Sequence, residues 1–461
     1  MSNHVPRGRI SRGGRVGRVV AGQAVRGVGT RLSMLGRPEQ VRQRLRERAA
    51  RQTAQQLVTV LGGMKGAAMK VGQMLSVLDL DMLPEEQREL FRIKLAELRD
   101  QAPTFPMRAM RKVIEDDLGP MSRVFADFDE TPIAAASIGQ VYRARLRDGR
   151  QVAVKVKYPG VDRAVHADMR NLMMISRLWK AGLPSAADDD VLAEITRTIG
   201  GELDYPREAR TQHHVAARYR GHPYITVPDS IETYCGPNVL VTELVDGRPF
   251  GDIRALPDAD RRRIGELIYR FYITSLFDDN EFCGDPHPGN ILLAADGRPA
   301  FVDFGLYTDM SPADVELERE IIRAAGEYRA GDIYRSWVVR GIVDPDAEVT
   351  PEECLDYVWA ATGWHLLDED ITVTPELATS AAVFAVDPRI SAFRGMHRQH
   401  LPPEHVFSRR ADLYTYAVLG QLHTTDNWHR LAREWLYREP PTTEIGRDIA
   451  RWRRGARPVS S

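Results

Sequence analysis

Asp285-Pro286-His287-Pro288-Gly289-Asn290, followed by Asp303-Phe304-Gly305, is the stretch that decides how the rest of the chain is read. Asn290 lies five positions after Asp285, and Asp303 eighteen after it. Phosphoryl transfer needs an acid beside the nucleophile, and a carboxamide plus a second acid on the metal ions. Each group alone is ordinary. In this order Asp285 becomes the candidate catalytic or substrate-orienting carboxylate, and Asn290 and Asp303 the candidate magnesium ligands, oxygen donors of the kind that ion takes. Pro286, Pro288 and Gly289 keep the loop out of helix. His287 reads as a structural hydrogen-bonder, because a zinc site needs several convergent His or Cys. Cys283 reads as a small buried hydrophobe, not a catalytic thiol.

Upstream, Val152-Ala153-Val154-Lys155-Val156 sets an ammonium in a β-branched strand. That is costly unless the charge meets a counter-ion. In a nucleotide cleft the counter-ion is the α- and β-phosphates, with a glutamate holding the lysine. Such a pair about 4 Å apart is worth about 4 kcal/mol at an effective dielectric of about 20, before desolvation. The alternative is an edge-strand lysine facing water. Before it, Ala134-Ala135-Ala136-Ser137-Ile138-Gly139-Gln140 stands where a phosphate-covering loop belongs. Alanine methyls replace the bare glycines that let backbone N–H groups approach phosphate, which stiffens the loop. By itself the alanine triplet suits a helix start equally well.

The chain has 461 residues, 43% hydrophobic and 28% charged, with a formal net charge of −1. That fits a globular protein of two or three domains and gives no global attraction to nucleic acid. The charge is uneven. Residues 1–51 carry thirteen arginines against Glu39 and Glu47. The partner expected for that arm is an anionic membrane surface, at about 1 kcal/mol per cation near it; the plainer reading is a solvated arm. Three cysteines without paired spacing fit a reducing compartment, and no run of about 20 apolar residues suggests a membrane span. The expected location is cytoplasmic, peripheral at a membrane.

The periodicity divides the chain into a basic arm (1–36), a helical extension (37–125), a mixed region with a helical insert (126–247), a region carrying the acid loops (248–345) and a helical C-terminal extension (346–461). Pro106 opens a helix that ends near Gly119-Pro120. Two strands flank the Asp148-Gly149 turn, the second running Gln151 to Lys157. Residues 161–205 read as helical, Tyr224–Val227 and Val239–Val245 as strands, and Phe301-Val302 as a short strand. Arg261–Phe277 reads as an amphipathic helix. Trp337, Trp359, Trp364, Trp428 and Trp435 read as core anchors, and Ile445–Arg457 as a solvated terminal helix.

Together these residues resemble the UbiB/ADCK family of atypical protein-kinase-like ATPases. Lys70-Val71-Gly72-Gln73 resembles the family's KxGQ signature, and Ala134 to Ser137 its alanine-rich loop. Val152–Val156 with Tyr158-Pro159-Gly160-Val161 is similar to its lysine strand and the turn beyond. Glu202-Leu203-Asp204-Tyr205 and Glu208-Ala209 are similar to its acidic ExD segment. Strong resemblance covers about 60–310. It implies an α+β, two-lobed kinase-like fold with an N-terminal helical KxGQ extension and a helical C-terminal region. It implies ATP and magnesium as cofactors, Lys70 and Gln73 as catalytic helpers, and a nucleotide-side set of Ala134, Ala135, Ala136, Ser137, Lys155, Glu202, Asp204, Glu208 and Glu243. The KxGQ helices would occupy the space a protein substrate needs, which leaves an ATPase or small-molecule kinase in lipid or isoprenoid-quinone metabolism, with a lipid or quinone precursor as ligand.

The residues themselves agree on two points. Forty-seven positions separate Lys155 from Glu202, so a helical insert lies between them. After Asp303 the chain soon resumes helix at Pro312, without Ala-Pro-Glu, so a platform for protein substrates is missing. Lys70 has a plainer reading too, since its Gly- and Ala-rich helix is explained by close helix packing. Glu202 is the expected partner of Lys155, with Glu208 as the alternative; if that stretch is helical, Asp204 and Glu208 share a face. A true protein kinase and a nucleotide-sensing scaffold with little turnover are the competing functions.

Overall fold

The computed structural model describes residues 105–136, 138–167, 169, 200–346, 349–378 and 403–456. Two units make up the chain: Met1–Pro206 with Glu232–Val241, and Arg207–Ile231 with Thr242–Ser461. The KxGQ segment, Ser137 and most of the stretch between Val161 and Glu202 lie outside the described residues.

In the first unit, helix α1 (Met107–Leu118) opens directly after Pro106, as its sequence predicts. It closes at Gly119, whose φ of 76° is the left-handed conformation that glycine adopts without a Cβ penalty. Strands β1 (Phe125–Ala135), β2 (Gly139–Leu146), β3 (Gln151–Lys157) and β4 (Val239–Glu243) form one sheet in that order. The Asp-Gly turn is where it was expected, with Gly149 at φ 94°. Successive β3 side chains face opposite sides. Val152, Val154 and Val156 are fully buried on one side, and α1 packs against this strand with Met110 and Ile114 buried. Lys155 and Lys157 occupy the other.

The alanine triplet starts no helix. Ala134 and Ala135 end β1, paired with Val141 and Gln140, and Ala136 N–H donates to Gly139 O at 2.8 Å in a tight turn. Thr131, Pro132 and Ile133 just before them disfavour helix. Gly139 is obligatory: a Cβ there would stand 2.3 Å from Val156 O.

The second unit takes in most of α2 (Tyr205–Arg218) and is built around one helical run further on, in which α3 (Asp258–Tyr269), a π-helical segment Arg270–Thr274 and α4 (Ser275–Asp279) follow one another without a break. The expected amphipathic helix over Arg261–Phe277 is a central one instead. Every residue from Ile264 to Phe277 is buried. A helix covered on all sides must pair its own polar groups. Arg270 bonds Glu266 and Glu434 at 2.8 Å, and Ser275 Oγ donates to Phe271 O. The covering comes from α5 (Pro312–Gly326), α6 (Ala330–Val339), α7 (Pro351–Thr362), α8 (Pro403–Leu422), α9 (Trp428–Leu436) and α10 (Glu444–Ala456), which share one hydrophobic core with it. Trp337, Trp364, Trp428 and Trp435 are buried anchors; Trp359 is half-buried and donates to Ala325 O.

Two other expectations fail here. Tyr224–Val227 is no strand but a single bridge, Thr226 to Ala300. The N–H groups of Tyr224 and Ile225 go to His222 Nδ1 instead of to a ladder. The terminal helix α10 is docked, not solvated. Ile449 is buried, the Tyr224 hydroxyl donates to Asp448, Trp452 meets His222 edge-on, and Arg453 pairs with Asp278. Among the described residues no helix is long and apolar enough to cross a membrane.

Candidate active site

The acid loops lie in the second unit, held between two small sheets. Strand β6 (Glu281–Cys283) delivers Asp285 and pairs with β9 (Tyr307–Asp309), which follows Asp303. Strands β5 (Gly247–Pro249), β7 (Ile291–Ala294) and β8 (Pro299–Phe301) form the other sheet, with β7 leaving the first loop and β8 entering the second. Gly284 N–H donates to Leu306 O and Val302 N–H to Asn290 O, so each loop is tied to the other by backbone.

Inside the first loop, Pro288–Asn290 makes one 3-10 turn. His287 caps it by accepting Gly289 N–H at 3.0 Å on Nδ1, the structural part expected of it. Asn290 Nδ2 donates to Asp285 O at 3.4 Å. That bond takes one N–H of the carboxamide and orients the group. Cys283 is buried, its thiol 3.9 Å from Asp303 O.

Gly305 is the pivot of the second loop. Its N–H donates to Asp303 Oδ1 at 3.1 Å. A Cβ at Gly305 would stand 3.6 Å from Asp303 Oδ1 and 3.6 Å from Glu208 Oε2, so the two carboxylates flank one small space. Glu208 comes from α2 and is 2% exposed. Beneath them Tyr272 is fully buried; burial first, then its neighbours Cys283, Asp285 and Asp303, hold its phenol well above the usual range. It stays neutral near the two aspartates.

The donor set fits magnesium. Asp303, Glu208 and Asn290 carry hard oxygen donors, the kind that suits magnesium, which keeps several of its waters and is held through one or two carboxylates plus phosphate oxygens. Among the described residues no three His, Cys, Asp or Glu side chains gather as a metal cage.

Within the first unit, Ala134, Val141 and Lys155 are register partners across β1, β2 and β3, so they lie in one row on one face of the sheet. Lys155 Nζ lies 5.3 Å from the centroid of the Tyr205 ring. Glu202 and Asp204 precede α2, which begins at Tyr205. Asp204 therefore stands outside the helix, and the shared helical face expected for Asp204 and Glu208 does not form. Glu243, at the end of β4, is exposed and accepts Asp229 N–H at 3.0 Å. Its carboxylate is occupied in the second unit, fixing that turn. Lys70, Gln73 and Ser137 lie outside the described residues. Tyr205 and Lys157 were not singled out from sequence, although the period of two puts residue 157 on the face of Lys155.

A cavity of about 180 Å³ elsewhere in the second unit is lined by Arg218, His222, Arg270, Asp278, Trp452 and Arg453 among others, and by none of the candidate acids. Its charges are already paired, Arg218 with Glu281 and Arg270 with Glu434.

Residues 97–334, just over half of the chain, match the ABC1 atypical kinase-like domain. The chain belongs to the ABC1 atypical kinase-like family. Within it, the chain is 33% identical over 292 residues to Protein ACTIVITY OF BC1 COMPLEX KINASE 8, chloroplastic, of Arabidopsis thaliana, covering 61% of this chain and 38% of that protein. It is 34% identical over 257 residues to the probable protein kinase UbiB of Marinobacter nauticus (53% and 46% covered). To the mitochondrial atypical kinase COQ8B of Rattus norvegicus it is 32% identical over 278 residues (59% and 52%). The chain thus spans about half or less of the length of these relatives. Among solved structures it is similar to Rv3197 of Mycobacterium tuberculosis, determined in complex with erythromycin, with a TM-score of 0.59 and 31% identity over 84% of this chain and 96% of that one. The kinase-like fold of the ABC1 family, helical in its C-terminal region, is therefore this chain's fold.

Proposed function

We propose that this ABC1-family chain is an ATP- and magnesium-dependent atypical kinase or ATPase that serves lipid or isoprenoid-quinone metabolism and does not phosphorylate proteins. The observation that carries the reading is the pair of carboxylates, Asp303 and Glu208, flanking the space at Gly305, with Asn290 locked to Asp285 beside them. Asn290, Asp303 and Glu208 hold the magnesium. Bound magnesium neutralises the charge that develops on the phosphates. Asp285 orients the attacking hydroxyl or water and accepts its proton. Lys155 takes the α- and β-phosphates, and Glu202 holds Lys155.

Two features support the restriction to small acceptors. Six residues separate Gly305 from the start of α5 at Pro312, too few for a peptide-docking segment. The relatives named above include kinases of chloroplasts and mitochondria, and the family resemblance carries the link to quinones. The basic N-terminal arm is proposed as the contact with an anionic membrane.

Differential scanning fluorimetry with ATP, with and without magnesium, tests the assignment. Wild type is expected to be stabilised by ATP with magnesium, and Asp303→Asn to lose the magnesium-dependent part. No stabilisation of wild type would remove the nucleotide reading. Phosphate transfer to added protein, lost in Asp285→Asn, would revive the protein-kinase alternative, whereas nucleotide binding without turnover would leave the scaffold.

A further inference from the structure

Lys157 is a buried ammonium, two residues beyond the half-buried Lys155 on the same face of β3, and only 3% exposed. A charge so placed survives only where partners replace its water. It has three. Its Nζ donates to Asp162 Oδ1 at 3.0 Å and to Leu203 O at 2.6 Å, and lies 5.1 Å from the centroid of the Tyr205 ring. Leu203 is the residue between Glu202 and Asp204, forty-six positions further along the chain. Tyr205 is the ring that Lys155 also meets. Lys157 itself sits at a fixed place in the sheet: it is the register partner of Gly139, and its N–H donates to Asn238 O at 2.9 Å.

We infer that Lys157 is a positioning residue that clamps the acid segment 202–204 onto β3 and so sets Glu202, Asp204 and Lys155 in register with one another. The proposal rests on the nucleotide reading above, in which Lys155 takes the phosphates and Glu202 holds it. The bond to Leu203 O fixes the peptide between the two acids. Asp162 supplies the counter-charge that lets the ammonium stay buried. Tyr205, fully buried, its hydroxyl 3.2 Å from the Cβ position of Gly139, is a rigid wall along which both lysines lie. With an apolar side chain at 157, Leu203 O would lose its donor, while the short turn in which Leu203 and Asp204 N–H groups donate to Gly200 and Gly201 O at 3.2 Å would remain.

The test compares wild type, Lys157→Met and Lys157→Arg well below their melting temperatures, by two readouts. Hydrogen–deuterium exchange over 200–206 reports the clamp without any ligand. A titration with an ATP analogue at saturating magnesium reports its consequence. Lys157→Met is expected to exchange the Leu203 and Asp204 amides faster, and to bind the analogue at least about tenfold more weakly, the size of effect of losing one charged hydrogen bond. Lys157→Arg, which keeps the cation, is expected to recover most of both. Unchanged exchange in Lys157→Met overturns the clamp. Faster exchange with unchanged analogue affinity reduces Lys157 to packing and overturns the positioning role. A wild type that binds no nucleotide defeats the functional reading, and this role with it, and is recognised because the exchange readout still responds. Should Lys157→Met fail to fold, Asp162→Asn takes its place: faster exchange with weaker analogue binding supports the clamp, and no change in either overturns it.

Discussion

At the scale of single residues the site is a question of what stands between two carboxylates. Gly305 has an ordinary backbone conformation, and a methyl there would meet Asp303 and Glu208 at van der Waals distance without a clash. Gly305→Ala is therefore expected to fold with a stability change of about 1 kcal/mol or less, while filling the space a cation would occupy. Magnesium-dependent stabilisation by ATP should fall, as read by thermal shift; an alanine variant with full magnesium response would mean that the cation does not sit between these two groups. Asp303→Asn keeps the shape and the bond from Gly305 N–H but removes the charge. Turnover should drop on the order of 100-fold with the melting temperature of the ligand-free protein nearly unchanged, and equal turnover in a phosphate-release assay would take Asp303 out of the reaction. Gly139 is the contrasting glycine. Its Cβ would collide with Val156 O, a backbone atom that cannot step aside, so the same substitution there is a folding defect and says nothing of chemistry.

At the scale of elements, what was legible in sequence was local. The β2–β3 hairpin announced itself through Asp148-Gly149 and the alternating valines, α1 through Pro106 and Gly119, and the acid loops through their spacing. What escaped depends on partners far along the chain. β1 was hidden because Phe125–Ala135 is mostly exposed and shows no alternation; its pairing with β2 makes it a strand. The central helix looked amphipathic because Ile264, Leu267, Ile268, Phe271 and Leu276 mark one apolar face. α8, α9 and α10, well over a hundred residues later, share its core from Ile264 onward and supply Glu434 to Arg270. Glu208 beside Asp303 is likewise a contact between distant segments, which spacing alone does not reveal. The Arg270 network gives this level its prediction. Arg270 and Glu266 are 7% exposed, and Glu434 11%. Removing one carboxylate leaves a buried guanidinium partly uncompensated, at a cost of about 3–5 kcal/mol. Glu434→Ala should lower the melting temperature of the second unit by on the order of 10 °C, measured by calorimetry; a shift within a degree or two would show that Glu266 and Thr443 suffice to hold Arg270.

At the scale of the whole molecule, the docked C-terminal helix makes stability depend on pH. His222 packs against Trp452 of α10, and its Nδ1 accepts two backbone N–H groups, so the fold requires the neutral ring. Burial first, then the nearby Arg453, Arg298 and Arg270, lower its pKa from 6.5 to about 3. In the unfolded chain the same ring binds a proton below about 6.5. Between those values the unfolded state carries one proton more, so stability rises with pH there. The contribution is fully present above about 6.5 and is lost as the solution is acidified, by about 1.4 kcal/mol per unit. Asp278, in the same cluster, acts with the opposite sign: burial raises its pKa, so its share is present below the ordinary carboxylate range and is lost as pH rises through its folded value. Both wild type and a His222 variant carry the Asp278 share, so the difference between them isolates His222. His222→Asn retains an acceptor near the Nδ1 position and cannot titrate. Acidifying from pH 7 to 5 should cost wild type about 2 kcal/mol more than the variant, roughly 4–8 °C in the second unit's transition. Superimposable pH profiles for the two proteins would show that His222 takes up its proton as readily in the fold as in the unfolded chain, and that its acceptor role toward Tyr224 and Ile225 is not what holds the terminal helix in place.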